Sequence, residues 1–254
     1  MSFRKQFASR LRSGAELAGT FVKTRDTAIV EILAQTGFDY AVLDAEHAPM
    51  DRGTISDMAL ASRAARLPLI VRIPEAGGHW IASAIDAGAA GIMVPQVSDK
   101  PMAEQLVRAM RHGDGGLGFS PSTAGAEFGS RGIAGHLETH PEECVLVCQI
   151  ETPSAVKQSG DIASVDGVDA LLVGPVDLAI AAGTTNPGSD EIRKMCETAI
   201  TAGKASNTST GLFLGDPRDA SRWRETGASL FVLGTDQSML RTIATRNLEA
   251  FRAS

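Results

Sequence analysis

Tyr40-Ala-Val-Leu-Asp-Ala-Glu-His-Ala-Pro49 is an apolar, β-like run that finishes in charge. A strand buried on both faces has no need of its own for a carboxylate at its end. The same design returns in Val145-Leu-Val-Cys-Gln-Ile-Glu-Thr152 and in Ala170-Leu-Leu-Val-Gly-Pro-Val-Asp177. Three such runs point to acids gathered at one rim of a parallel sheet, where a hard metal ion could sit. The strands they mark cover residues 39–46, 145–151 and 170–176. Five further β-like runs cover 18–23, 69–74, 91–97, 211–215 and 230–234. Most are continuous rather than alternating, as strands covered on both faces are. Helical stretches separate them at 26–36, 52–66, 80–87, 102–111, 152–159, 190–205 and 216–226, with a last one at 240–251. Eight strand–helix units predict an α/β fold closed into a (β/α)8 TIM barrel. The 254 residues match the roughly 250 such a barrel needs. No composition shift marks a second domain, so 1–254 reads as one.

The formal net charge is −6 and aromatic residues make up 5% of the chain. That balance gives no support to nucleic-acid or anionic-membrane binding, which want basic patches. No run reaches the roughly 18 apolar residues of a membrane span. Cys144, Cys148 and Cys196 lack the spacing of a zinc site and predict reduced, buried thiols in a cytoplasmic protein. The N-terminus carries Arg and Ser and no acid before Glu16, as some transit peptides do. Phe3, Phe7 and Leu11 also share one helical stripe, which a short helix covering the bottom of the barrel explains as well.

One segment breaks the rhythm. Residues 112–143 are long, Gly- and Ser-rich, and stand where a short connection belongs. They enter the fifth strand from below, so to serve the strand ends they would have to reach round the barrel or into a neighbouring subunit. Gly113-Asp-Gly-Gly-Leu-Gly118 fits the dinucleotide pattern letter for letter. It follows a predicted helix rather than a strand, which is the wrong context for that fingerprint.

Side chains two apart on a strand share a face. Asp44 and Glu46 therefore pair, as do Ile70 and Arg72, Gln149 and Glu151, and Val173, Pro175 and Asp177, with a bend expected at Gly174-Pro175. Every polar member stands toward a strand's C-terminal end, where such barrels place their catalytic groups. Asp44, Glu46, Glu151 and Asp177 bring four negative charges to that mouth, and Arg72 returns one positive. Crowded carboxylates raise one another's pKa unless a cation joins them. All-oxygen ligands favour Mg²⁺ or Mn²⁺; separate salt bridges at the rim are the alternative. His47, just beyond a strand, is a candidate general base, with Asp44 or Asp86 to orient its ring. A capping role toward a loop carbonyl would explain it too. Lys23 ends the first strand and could form a Schiff base, which would make a metal-free lyase.

With these residues in hand, the chain resembles the HpcH/HpaI aldolase family over about residues 19–240. The resemblance is carried by Phe38-Asp-Tyr-Ala-Val-Leu-Asp-Ala-Glu-His-Ala-Pro49, Val71-Arg-Ile-Pro74, Gly91-Ile-Met-Val-Pro-Gln96, Gln149-Ile-Glu-Thr152 and Gly174-Pro-Val-Asp-Leu178, in this order. It implies a class II pyruvate aldolase that cleaves a 4-hydroxy-2-oxo acid to pyruvate and an aldehyde. Glu151 and Asp177 match the metal ligands, and Arg72 the arginine that stabilises the pyruvate enolate. His47 matches the acid/base histidine, supported by Asp44 or Asp86. Gln149 and the backbone at Gly174, Pro175 and Val176 match the pyruvate pocket. The resemblance further implies a C-terminal helix exchanged between subunits, in dimers assembled into hexamers. One departure stands out: Leu117 replaces an arginine that better-studied members carry, which leaves the acceptor aldehyde and its charge open. Two other readings are a citrate-lyase-β-like enzyme acting on acyl-CoA thioesters and a non-catalytic 2-oxo-acid-binding barrel.

Overall fold

The computed structural model describes all 254 residues. Eight strands are present: β1 (Leu17–Val22), β2 (Tyr40–Asp44), β3 (Leu69–Arg72), β4 (Gly91–Val94), β5 (Val145–Ile150), β6 (Ala170–Val173), β7 (Ser209–Leu214) and β8 (Leu230–Thr235). Each pairs in parallel with its sequence neighbour, and β1 pairs with β8, so the sheet closes as a barrel in chain order. The chain is therefore a (β/α)8 TIM barrel.

The helices are α1 (Phe3–Arg12), α2 (Ala28–Gln35), α3 (Arg52–Ala65), α4 (Gly78–Ala87), α5 (Lys100–Ala109), α6 (Gly132–Glu143), α7 (Pro153–Ala163), α8 (Pro175–Ala181), α9 (Asp190–Ala205), α10 (Ala220–Thr226) and α11 (Asp236–Ala253). Their starts are written locally. Asp51, Asp99, Thr152 and Ser189 each accept a first-turn backbone N–H, and Pro153 occupies the first position of α7, where its missing N–H costs nothing.

Two apolar layers divide the core by strand parity. Leu17, Tyr40, Val42, Ile70, Met93, Val145, Val147, Leu172, Leu230 and Val232 point inward and fill the barrel. The alternate strand residues join the helices in the outer layer. α1 closes the bottom: Phe7, Ala8 and Leu11 are buried among the inward residues, with the Phe7 ring centroid 5.5 Å from that of Tyr40. This is the bottom-covering helix that the Phe3–Phe7–Leu11 stripe predicts. Gly19 leaves room for the Tyr40 ring, since a Cβ there would stand 2.5 Å from it.

The long connection is not a plain loop. Its last 12 residues form α6, and Gly113–Gly118 folds back on the end of α5, where Leu117 N–H donates to Arg111 O at 2.7 Å. Pro175 opens a helix rather than extending β6, so Asp177 lies in the first turn of α8 and not on a strand. Val173 faces the outer layer, which corrects the parity expected for that strand. All three cysteines are free and buried, and burial pushes their thiols up to about 12. No helix is long and apolar enough to cross a membrane.

Candidate active site

Above the apolar filling, the barrel interior turns polar. Asp44 on β2 and Arg72 on β3 are register partners. Arg72 Nε donates to Asp44 Oδ1 at 3.0 Å and Nη2 to Oδ2 at 2.8 Å. Arg72 Nη1 lies 3.3 Å from Glu46 Oε2, and its guanidinium stacks 4.3 Å from the Phe21 ring centroid. The arginine is therefore fixed on three sides. Asp44 is fully buried and also accepts the His47 backbone N–H at 3.1 Å and Lys23 Nζ at 3.1 Å. Burial pushes its carboxyl up, but Arg72, His47 N–H and Lys23 outweigh it and hold it below the ordinary carboxylate range.

Across the mouth, Glu151 is buried just past β5. Its Oε2 accepts the Gln96 backbone N–H at 2.8 Å and its Oε1 accepts Gln149 Nε2 at 3.0 Å. Gln96 presents that N–H from a left-handed conformation (φ 54°) directly after Pro95. Asp177 comes from the first turn of α8, and the two carboxylates converge on Gly174. A Cβ on Gly174 would stand 3.0 Å from Asp177 Oδ2 and 3.3 Å from Glu151 Oε1.

Burial pushes the Glu151 carboxyl up to about 7, with Asp177 and Glu46 adding repulsion. Glu46 is also raised, first by burial. Gln149 Oε1 is buried with no hydrogen-bond donor, and Glu46 Oε2 makes no hydrogen bond beside its ion-pair contact with Arg72. A set of oxygens short of positive charge fits a hard divalent cation better than a zinc-type site. Glu151 and Asp177 are the residues able to hold it.

A pocket of about 230 Å³ opens here, lined by Lys23, His47, Arg72, Gln149, Asp177 and the 174–176 turn, with Phe21, Phe213 and Thr235 on its far wall. The His47 ring is more than half exposed, and its Nε2 lies 3.6 Å from Glu46 Oε2. Asp44 meets its backbone rather than its ring. Asp86 lies outside the mouth. It stands near the C-terminal end of α4, beside Thr123, His112 and His136, because α4 starts at the mouth and runs away from it. The sequence-based pairing of Asp86 with His47 is thus not made in this pocket of one chain. Lys23 is tied to Asp44 and partly open to water, without the apolar enclosure a nucleophilic lysine needs.

The sequence pattern assigns no role to Gln96, Phe21, Phe213 or Thr235. Gln96 acts through its backbone, which no side-chain pattern reports. Phe21 does share strand parity with Leu17, Gly19 and the barrel interior, a signal that could have found it.

Residues 17–242 match the family model described as HpcH/HpaI aldolase/citrate lyase. The chain belongs to this family. It is 31% identical to the hydroxypyruvate/pyruvate aldolase of Roseovarius nubinhibens, over 97% of this chain and 96% of that protein. It is 29% identical to the 5-keto-4-deoxy-D-glucarate aldolase of Klebsiella pneumoniae, over 98% of each. The crystal structure of an HpcH/HpaI aldolase/citrate lyase family protein from Burkholderia cenocepacia superposes with a TM-score of 0.91 at 30% identity, covering 98% of this chain and 99% of that one. Class II aldolases of the HpcH/HpaI family generally depend on a divalent metal.

Proposed function

We propose that this member of the HpcH/HpaI family is a pyruvate aldolase that uses Mg²⁺ or Mn²⁺. The reaction is reversible retro-aldol cleavage of a 4-hydroxy-2-oxo acid to pyruvate and an aldehyde. The chain is then a carbon–carbon lyase, as its family and relatives are. The observation that carries the reading is the convergence of Glu151 and Asp177 on Gly174, across the mouth from a rigidly held Arg72.

Glu151 and Asp177 would hold the cation, which when bound supplies positive charge beside the developing enolate oxygen. Gln149 and the backbone at Gly174, Pro175 and Val176 orient the 2-oxo acid; no side chain caps the start of α8, so its first N–H groups remain open to an anion. His47 takes the C4 hydroxyl proton as the C3–C4 bond breaks. The electron pair moves onto the pyruvate fragment, and a proton returned to C3 completes pyruvate. Arg72 meets the negative charge where it grows, with no reorganisation, because Asp44, Glu46 and Phe21 already fix it. Asp44 is a positioning residue for Arg72 and for the backbone of His47.

α11 supports an oligomer. It is anchored only at its root, where Asp236 accepts the Lys23 and Thr24 backbone N–H groups at 3.0 and 2.9 Å. Every residue from Leu240 onward is exposed, including Ile243, Leu248 and Phe251. We read it as an arm packed on a second copy.

Two measurements test the reaction. Chelation should abolish cleavage and Mn²⁺ or Mg²⁺ should restore it; activity indifferent to chelation would rule the metal reading out. Arg72→Ala should slow pyruvate methyl-proton exchange by ~10²–10³. Exchange at the wild-type rate would remove Arg72 from enolate stabilisation.

A further inference from the structure

The mouth holds a cation to which the chemistry above gives no task. Lys23 directly follows β1, and the Asp236 carboxylate fixes its backbone N–H at the root of α11. Its side chain is about three-quarters buried and lines the same pocket as Arg72, His47 and Asp177. Lys23 Nζ lies 3.1 Å from Asp44 Oδ2. That carboxylate is already matched, because Arg72 donates to both its oxygens. Asp44 and Glu46 balance Arg72 and Lys23 in charge, but the Lys23 ammonium keeps N–H donors free toward the cavity. Arg72 is also committed to Glu46, whereas an ammonium has three N–H donors and Lys23 has one carboxylate partner.

Topology says which end of a substrate meets those donors. In a closed ring of eight strands in chain order, β1 stands opposite β5, the strand that delivers Gln149 and Glu151. A 2-oxo acid engaged on the Glu151–Asp177 side sends its far end toward β1 and β8. The wall there is Phe21, Phe213, Thr235 and Lys23, and Lys23 is its only charge. The connection that carries Leu117 leaves the mouth without a cation of its own, since Leu117 is buried against the end of α5.

We propose that Lys23 is the specificity-determining cation for the distal end of the substrate. It selects 4-hydroxy-2-oxo acids whose aldehyde portion carries a carboxylate. The proposal rests on the aldolase reading and adds the substrate class. Lys23 does not bond to the reacting atoms; its ammonium pairs with the distal carboxylate while keeping its contact to Asp44.

The test compares acceptors of matched length in the Mn²⁺-loaded enzyme with pyruvate: glyoxylate against glycolaldehyde, and succinic semialdehyde against butanal. Wild type should prefer the anionic member of each pair in kcat/KM. Lys23→Met should lower the anionic-to-neutral ratio by about 10–100-fold, the effect of losing one charge-assisted contact, mainly through KM for the aldehyde. Lys23→Arg should restore much of the ratio. A wild type that favours neutral aldehydes, or a ratio unmoved in Lys23→Met, would overturn the proposal. An equal loss toward both acceptors would also overturn it, by reducing Lys23 to a support for Asp44. Pyruvate methyl-proton exchange in wild type separates the two levels: its absence sinks the aldolase reading and this inference with it, whereas exchange with an unmoved ratio sinks this inference alone.

Discussion

At Glu151 the cost of burying a carboxylate is not offset within the protein. Its two oxygens receive one backbone and one amide donor, while Asp177 and Glu46 press on it, and its carboxyl rises to about 7 from an ordinary 4.5. Between those values the folded protein keeps a proton that the unfolded chain has released. Cation-free protein should therefore lose stability as pH rises through that window, by up to about 3 kcal/mol. Glu151→Gln should flatten this dependence in thermal melts with chelator. Mn²⁺ at a hundredfold excess over its Kd should add roughly 2.7 kcal/mol to wild type at pH 8 and little to the variant. A variant that gains as much as wild type would remove Glu151 from the metal site. Much of this residue-level picture was legible beforehand. Asp44, Arg72 and Gln149 follow from a period of two on strands whose lower residues are apolar. Strand parity places Asp177 on the right rim but the wrong element, because Pro175 is as good a first helical residue as it is a strand end. The backbone donor of Gln96 leaves no trace in a side-chain pattern.

Among the elements, α6 is the one the sequence hides. Gly132 and Gly135 start it, Pro141 lies within it, and no side chain caps its first turn, so local propensity argues against it. Tertiary contacts make it. Glu143, at its end, is buried and meets Arg4 of α1 at 2.8 Å and Arg131 at 2.7 Å, and it accepts the Ser2 hydroxyl. Burial pushes its carboxyl up, yet Arg131, Ser2 and Arg4 prevail and hold it low. Its stabilising contribution is present above pH 4.5 and is lost as pH falls through the depressed folded value. Glu143→Ala should cost about 3–5 kcal/mol, chiefly by leaving the buried Arg4 without its carboxylate while Arg131 keeps Glu127, measured by urea denaturation at pH 7. A loss under about 1 kcal/mol would make the tie no stronger than a surface pair. His140, on the same helix, is buried and neutral. Its Nε2–H donates to Met110 O at 2.8 Å, and burial lowers it from 6.5 to about 4. The unfolded chain binds a proton in that window and the folded one does not, so stability falls as pH drops from 6.5 toward 4. His140→Gln keeps a donor in place and should shallow the acid limb of the stability curve; an unchanged limb would assign it to other groups.

At the scale of the whole molecule, closure of the barrel was legible because eight alternations leave few other ways to cover eight apolar strands. Assembly was not, since a helix that packs on a second copy reads like one that packs at home. The positions of His47 and Asp86 bear on this. His47 opens on the mouth of its own barrel, while Asp86 stands on α4 beside the connection that holds Thr123 and His136, outside that pocket. If Asp86 supports a catalytic histidine, the histidine belongs to a second copy, because α4 carries Asp86 away from its own mouth. A self-complementary pairing would then give each mouth an acid from its neighbour. His47→Ala and Asp86→Ala should each be nearly inactive alone. Unfolded together and refolded as mixed oligomers, they should regain activity that neither has, since some sites then receive an intact histidine from one chain and an intact aspartate from the other. A mixture no more active than its parts would confine catalysis to single chains. The same would follow if light scattering found a fully active monomer, and the exposed row from Leu240 to Phe251 would then need another cover.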